Sequence, residues 1–184
     1  MKKIKQIIIG FTILFAFQAT TCEEDEPYAK KNITVPNLIK IETLNNYNVN
    51  DVLYIDASFS RFLPEEGYST LLDIYRTSTS NIFRFELYLE KKQTDDTWLR
   101  VENSNAILLK GEYFGNNGEG LTILNATNNV YEFKVGFPLQ TTGDFRLKVS
   151  KGFYQVVQTD KISLNITTTV PELNDEGFYS FTVI

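Results

Sequence analysis

The sequence predicts an all-β fold, an antiparallel two-sheet β-sandwich, and three observations carry that prediction. Apolar residues recur at every second position through most of the chain, the spacing that sends successive side chains to opposite faces of a strand. Clusters of turn-forming residues, KKQTDD, GNNGEG, NATNN and QTTG, separate these runs. No window carries a convincing stripe of 3.6-residue period, so helices contribute little. Short strands with turns between them bury their apolar faces by packing sheet on sheet.

The elements follow in order. NDVLYIDASFS, residues 50–60, opens the strand series, and EEGYSTLLDIYR, 65–76, is the nearest approach to a helix, with Leu71, Leu72 and Tyr75 on a single turn. In NIFRFELYLEK, 81–91, Phe83, Phe85, Leu87 and Leu89 share one face while Arg84, Glu86, Tyr88 and Glu90 share the other, which describes a strand with one dry and one wet side. TWLRV, 97–101, alternates Leu99 and Val101 with Trp98 and Arg100. In VYEFKVGFPL, 130–139, Tyr131, Phe133, Val135, Phe137 and Leu139 form the apolar set, and in GDFRLKVSK, 143–151, Phe145, Leu147 and Val149 alternate with Asp144, Arg146 and Lys148. DKISLNIT, 160–167, repeats the pattern with Ile162, Leu164 and Ile166. FYSFTVI ends the chain as a terminal strand, to be tucked into a sheet or offered as an edge.

At the other end, Lys2, Lys3 and Lys5 precede IIIGFTILFAF, residues 7–17, an uncharged apolar run of 11 residues. That is the outline of a signal peptide, and it is too short for a permanent span, which needs roughly 20 apolar residues. Removal of those three lysines from the 18 basic residues leaves 15 against 23 acidic ones, a net charge of −8. A nucleic-acid partner calls for a basic footprint, and none is visible. From Cys22 to Ile184 is 163 residues, enough for one sizeable core. Cys22 is the single cysteine, so no intrachain disulfide is available and burial must stabilise the fold.

Ala19, Thr20 and Thr21 directly before Cys22 resemble a bacterial lipobox, with Thr21 where Gly, Ala or Ser is usual. The resemblance implies a diacylglyceryl group on the Cys22 sulfur, cleavage before it and acylation of the new amine. Two or three chains, at about 0.8 kcal/mol per buried methylene, make a durable membrane anchor. Glu23, Glu24, Asp25 and Glu26 resemble the acidic run behind the lipidated cysteine of Bacteroidota lipoproteins, which implies export to the cell surface; a solvated spacer is the plainer use of the same four residues. The organisation expected is therefore a leader over 1–21, a lipidated and acidic tether over 22–32, and one β-sandwich domain over 33–184, held at the outer membrane.

The strand succession NDVLYIDASFS, the 81–101 hairpin, VYEFKVGFPLQTTGDFRLKVS and KISLNIT resembles strands B, C, C′, E, F and G of bacterial immunoglobulin-like domains. Phe145 stands near the corner into strand F where such domains often place a tyrosine whose hydroxyl bonds the backbone, and it has no hydroxyl.

The chain has no histidine, which removes the commonest general base and the commonest zinc ligand. Carboxylate-pair chemistry needs none, but Glu86, Glu90, Glu112 and Glu132 fall on the polar faces of strands, where solvated charge is expected. GNNGEG, 115–120, lacks the Lys and Ser/Thr of a phosphate loop and the twelve-residue spacing of a helix-loop-helix calcium site. No catalytic residue, metal ligand or cofactor is therefore assigned. Aromatics remain: if Leu99 and Val101 point to the core, Trp98 faces outward, and pairing with the preceding strand gathers Trp98, Arg100, Tyr88 and Arg84 on one exposed face. Alternatively, Trp98 packs under a neighbouring loop or the second sheet. An aromatic and arginine face suits a protein hot spot or sugar stacking. The function expected is a non-enzymatic surface lipoprotein that binds a protein partner, as an accessory subunit of an outer-membrane assembly; a glycan-binding module is the alternative.

Overall fold

The structure, a computed structural model, describes residues 29–102, 105–156 and 162–184. The leader expected over 1–21, Cys22 and the acidic run Glu23 to Glu26 lie outside the described residues. The chain forms strands β1 (Ala29–Thr34), β2 (Lys40–Glu42), β3 (Val52–Asp56), β4 (Phe59–Ser60), β5 (Phe62–Leu63) and β6 (Leu72–Asp73), then a single helical turn α1 (Ile74–Ser78). There follow β7 (Ile82–Lys92), β8 (Trp98–Arg100), β9 (Ile107–Lys110), β10 (Glu112–Phe114), β11 (Glu119–Asn125) and β12 (Val130–Glu132). The series ends with β13 (Lys134–Pro138), β14 (Gly143–Val149), β15 (Gly152–Gln155), β16 (Ile162–Thr167) and β17 (Phe178–Val183).

Two four-stranded layers make the sandwich. One runs β2-β3-β13-β9 and the other β8-β7-β14-β17, every neighbouring pair antiparallel. This is the A-B-E-D and C′-C-F-G order of an immunoglobulin-type sandwich. The fold is all-β as the period of two predicts, and the five apolar residues from Tyr131 to Leu139, together with Phe145, Leu147 and Val149, are all buried.

The sequence put KISLNIT in the place of strand G, and here the structure differs. The last strand of the C′-C-F-G sheet is β17, the chain's terminal FYSFTV, paired with β14 from Gly143↔Val183 to Lys148↔Phe178. The terminal strand is thus tucked in along one side. KISLNIT is β16, and it belongs to an extension built on the first half of β7. That extension runs β4-β12-β11-β7-β15-β16-β1, with β1 joined to β16 in parallel. Alternation reports which residues face a core; it does not report which neighbour a strand takes, because every buried strand shows the same period. β7 is eleven residues long and can serve both arrangements, pairing β11 and β15 through Ile82 to Glu86 and β14 and β8 beyond.

An aromatic cluster joins extension to sandwich. Phe85 meets Phe133 edge-on at 5.0 Å and Phe153 at 5.2 Å, Phe59 stacks on Tyr131 at 5.4 Å, and the Tyr131 hydroxyl donates to Ser80 O at 2.6 Å. Burial pushes the Tyr131 hydroxyl well above the ordinary tyrosine range, so it remains a donor.

β9 departs from alternation. Ile107, Leu108 and Leu109 are all exposed, because β9 is an edge strand with a register shift in which Leu108 faces Val135 while Lys110 faces Lys134, leaving Leu109 unmatched. A bulge of this kind twists an edge away from regular pairing and so protects it from further strands.

The nearest approach to a helix in the sequence, 65–76, contributes only the single turn α1 at its end, with Leu71 exposed. Asp73 caps it by accepting from Arg76 N at 3.0 Å, and the Arg61 guanidinium grips the same carboxylate at 2.7 and 2.5 Å. The Arg61 guanidinium holds the Asp73 carboxyl below its ordinary value of 3.8. A depressed carboxyl stabilises the fold above its unfolded value, and that contribution disappears as pH falls through the folded value. Asn caps a helix as well as Asp does, so Asp73→Asn loses only the charge paired with Arg61 and should be less stable than the parent by about 1 kcal/mol at neutral pH, the gap narrowing below about pH 4. Urea unfolding of both proteins across that range reads it.

Candidate binding face

The outward side of β7 carries Arg84, Glu86, Tyr88 and Glu90 because Phe83, Phe85, Leu87 and Leu89 take the core. Pairing then sets their neighbours. Glu90 stands between Arg100 of β8 and Arg146 of β14, Tyr88 is opposite Lys148, and Lys148 is opposite Phe178 of β17. Trp98 is opposite Lys92 at the end of the same sheet.

Arg146 is the centre of this face. Its Nε donates to Glu90 Oε2 at 2.6 Å, while its Cζ lies 4.5 Å from the centre of the Trp98 ring and 4.1 Å from that of Phe178. One guanidinium thus holds two aromatic rings and a carboxylate together, which the planar, delocalised Arg head can do and a Lys ammonium cannot. A second such pair lies beside it, with Arg100 Cζ 3.8 Å from the centre of the Tyr88 ring. Gly118, at φ +67°, closes around this pair: a Cβ there would lie 3.0 Å from Tyr88 Cδ1 and 3.1 Å from Arg100 Nη1. Lys148 Nζ sits 4.5 Å from the Phe178 ring centre and donates to Glu176 O at 2.5 Å. Among the described residues, Arg100 and Lys148 have no carboxylate within ion-pair distance.

Of the four residues the sequence gathers, the structure brings together Trp98, Arg100 and Tyr88. Arg84 lies on the same side but in the first half of β7, 3.8 Å from Glu119 and paired in register with Tyr154. Leu99 corrects the reasoning that turned Trp98 outward: it is 57% exposed, since β8 is an edge strand reaching beyond the core, and only Val101 of the pair packs against it. Trp98 is half-buried against Arg146. Sequence reasoning missed Arg146, Lys148 and Phe178. The alternation in GDFRLKV already places Arg146 and Lys148 on a polar face; what it lacks is the β7–β14 pairing that puts them beside Trp98.

Among the described residues, Glu86 and Glu119 stand opposite each other on β7 and β11, while the other strand carboxylates are held by neighbours. Glu90 is paired with Arg146, and Glu132 accepts from Lys110 at 2.9 Å, Asn125 at 3.1 Å and Asn128 at 3.3 Å. Lys110 and Asn125 hold the Glu132 carboxyl below the ordinary range, which marks it as a fixed charge in a surface network. The GNNGEG stretch forms the β10–β11 hairpin tip, and among the described residues no group of three or more Asp, Glu, Cys or His is placed to hold a metal ion.

The face presents rings already covered on one side by cations. Sugar stacking needs a broad exposed ring face, and Trp98 and Tyr88 are each half-buried with one face against Arg146 or Arg100. Half-buried aromatics pinned by arginine are, by contrast, the composition found at the centre of protein–protein interfaces.

No protein-family model matches the chain, and neither does any curated protein. Among solved structures, the seventh ScaB type I cohesin from Pseudobacteroides cellulosolvens is similar over 83% of this chain and 91% of its own, at 17% identity and a TM-score of 0.32. So loose a superposition bears on neither site nor partner. The immunoglobulin-type order stands on the strand pairings themselves.

Proposed function

We propose that this chain is a non-enzymatic surface lipoprotein whose β8-β7-β14-β17 face binds a protein partner, as an accessory subunit of an outer-membrane assembly. The Arg146 cluster carries this reading: Trp98, Phe178, Tyr88, Arg100 and Arg146 form one continuous aromatic and cationic patch on the outside of a sheet whose inner side already supplies the core. Arg100 and Lys148 add charge that a carboxylate on the partner would complete. The lipobox-like run before Cys22 and the acidic run after it support anchoring and surface export.

The anchor is tested separately. Cys22→Ser should abolish incorporation of radiolabelled palmitate and release the protein from the membrane pellet, whereas palmitate retained in that variant would refute lipidation at this cysteine. The partner is tested by recovering the intact lipoprotein from native outer membranes in detergent and identifying what accompanies it. A large membrane protein at fixed stoichiometry supports the reading. A lipoprotein recovered alone argues against it.

A further inference from the structure

Beside the Arg146 cluster, on the outer side of the first half of β7, lies an open cleft of about 290 Å³ lined by Arg84, Glu86, Asn117, Glu119, Ser150 and Tyr154, with Phe85 and Gly118 beneath. Its volume lies just below the roughly 300–1,000 Å³ range of ligand clefts. Its construction differs from that of the neighbouring face. The Tyr154 ring lies along its own strand over Gly152: a Cβ on that glycine would be 3.1 Å from the Tyr154 hydroxyl oxygen and 3.3 Å from its Cζ. The glycine lets the ring lie flat, and 49% of Tyr154 is exposed. No cation or second ring covers Tyr154 among the described residues. Around this ring stand groups whose hydrogen-bonding capacity is unspent. The side chains of Glu86 and Asn117 have no partner among the described residues, and Glu119 meets only Arg84, at 3.8 Å.

We infer that this cleft binds a neutral pyranose glycan, with Tyr154 as the platform and Arg84, Glu86, Asn117 and Glu119 as the rim. The C–H face of a pyranose is apolar and its edge is a ring of hydroxyls. A flat exposed ring bordered by carboxylates, an amide and a guanidinium answers both features. Other ligand classes fit less well. Two carboxylates against one guanidinium repel an acidic sugar or a phosphate. An extended peptide added to a sheet needs a free backbone edge, and β7 is paired on both sides here, with β11 and β15. This cleft adjoins the protein-binding face at Gly118, and Trp98 and Arg146 take no part in it.

Affinity electrophoresis of the full chain in a sugar-free detergent, through gels containing amylopectin, xyloglucan, laminarin or barley β-glucan, tests the inference, with polygalacturonate as the acidic control. At least one neutral polysaccharide should retard the protein. Tyr154→Ala should weaken retention about tenfold, equivalent to about 1.4 kcal/mol. Tyr154→Phe and Trp98→Ala should retain it. Asn117→Ala, at an exposed hairpin tip, should also weaken retention, and an unchanged melting temperature shows that the fold is not the cause. Retardation by none of the neutral polysaccharides, by polygalacturonate alone, or equally in Tyr154→Ala and the parent would overturn the inference. Loss of retention in Trp98→Ala would do the same by moving the site to the other face.

Discussion

Phe133→Ala should lower the free energy of unfolding by about 3–5 kcal/mol, the largest effect expected of any single truncation here. Phe133 is fully buried and occupies the point where the chain leaves the extension at β12 and enters the sandwich at β13. Its backbone is fixed at both ends, with Ala57 N donating to its carbonyl at 3.0 Å and its own N donating to Ser58 Oγ at 3.3 Å. Backbone held in this way cannot settle into the vacated space. The ring also fills room that two glycines leave: a Cβ on Gly111 or Gly120 would come 3.0 Å from it. Gly111 stands at φ +72°, a conformation that suits glycine, so no larger residue there can compensate without strain. Removal of the ring therefore leaves a cavity beneath Phe85, and chemical denaturation should show a lower midpoint. A loss under about 1 kcal/mol would mean that the aromatic cluster does not join extension to sandwich as described.

Arg146→Ala should reduce recovery of the partner by about tenfold or more, in line with an interface hot spot, in protein whose melting transition shows that it is still folded. The guanidinium bonds Glu90 and touches both the Trp98 and Phe178 rings, so its loss frees two aromatic side chains and leaves a carboxylate uncompensated at the centre of the patch. Arg146→Lys separates charge from shape. It keeps the positive charge but cannot span both rings, and it should recover only part of the binding. Full binding in Arg146→Lys would mean that the face acts as charge alone. Equal binding in Arg146→Ala would place the partner elsewhere.

The core was legible in the sequence and the neighbours were not. Alternation identifies Phe83, Phe85, Leu87 and Leu89 as one buried row and Phe145, Leu147 and Val149 as another, because burial on a pleated strand has a fixed period. It says nothing of pairing across long loops, so the sequence suggests KISLNIT beside strand F although β17 takes that position. The turn clusters were equally legible: Asp96, Gly118, Asn129 and Gly143 all have positive φ, where the sequence offers Asp, Asn or Gly. At the site, Trp98, Arg100 and Tyr88 come from two strands joined by a short hairpin and were found together. Arg146 and Phe178 come from strands far along the chain, and only the sheet order brings them in. Tyr154 is invisible in the sequence because its exposure depends on a glycine two residues earlier and on a strand, β15, that lies between the runs read at 143–151 and 160–167.

Photo-crosslinking in native outer membranes tests the partner-binding face most directly. A photoreactive residue is placed at Ser180, exposed in register with Arg146, at Arg100, and at Lys40 on the opposite sheet. Crosslinks from positions 180 and 100 to one large membrane protein, with none from position 40, are the predicted result; crosslinks from position 40 alone, or from none of the three, would contradict it.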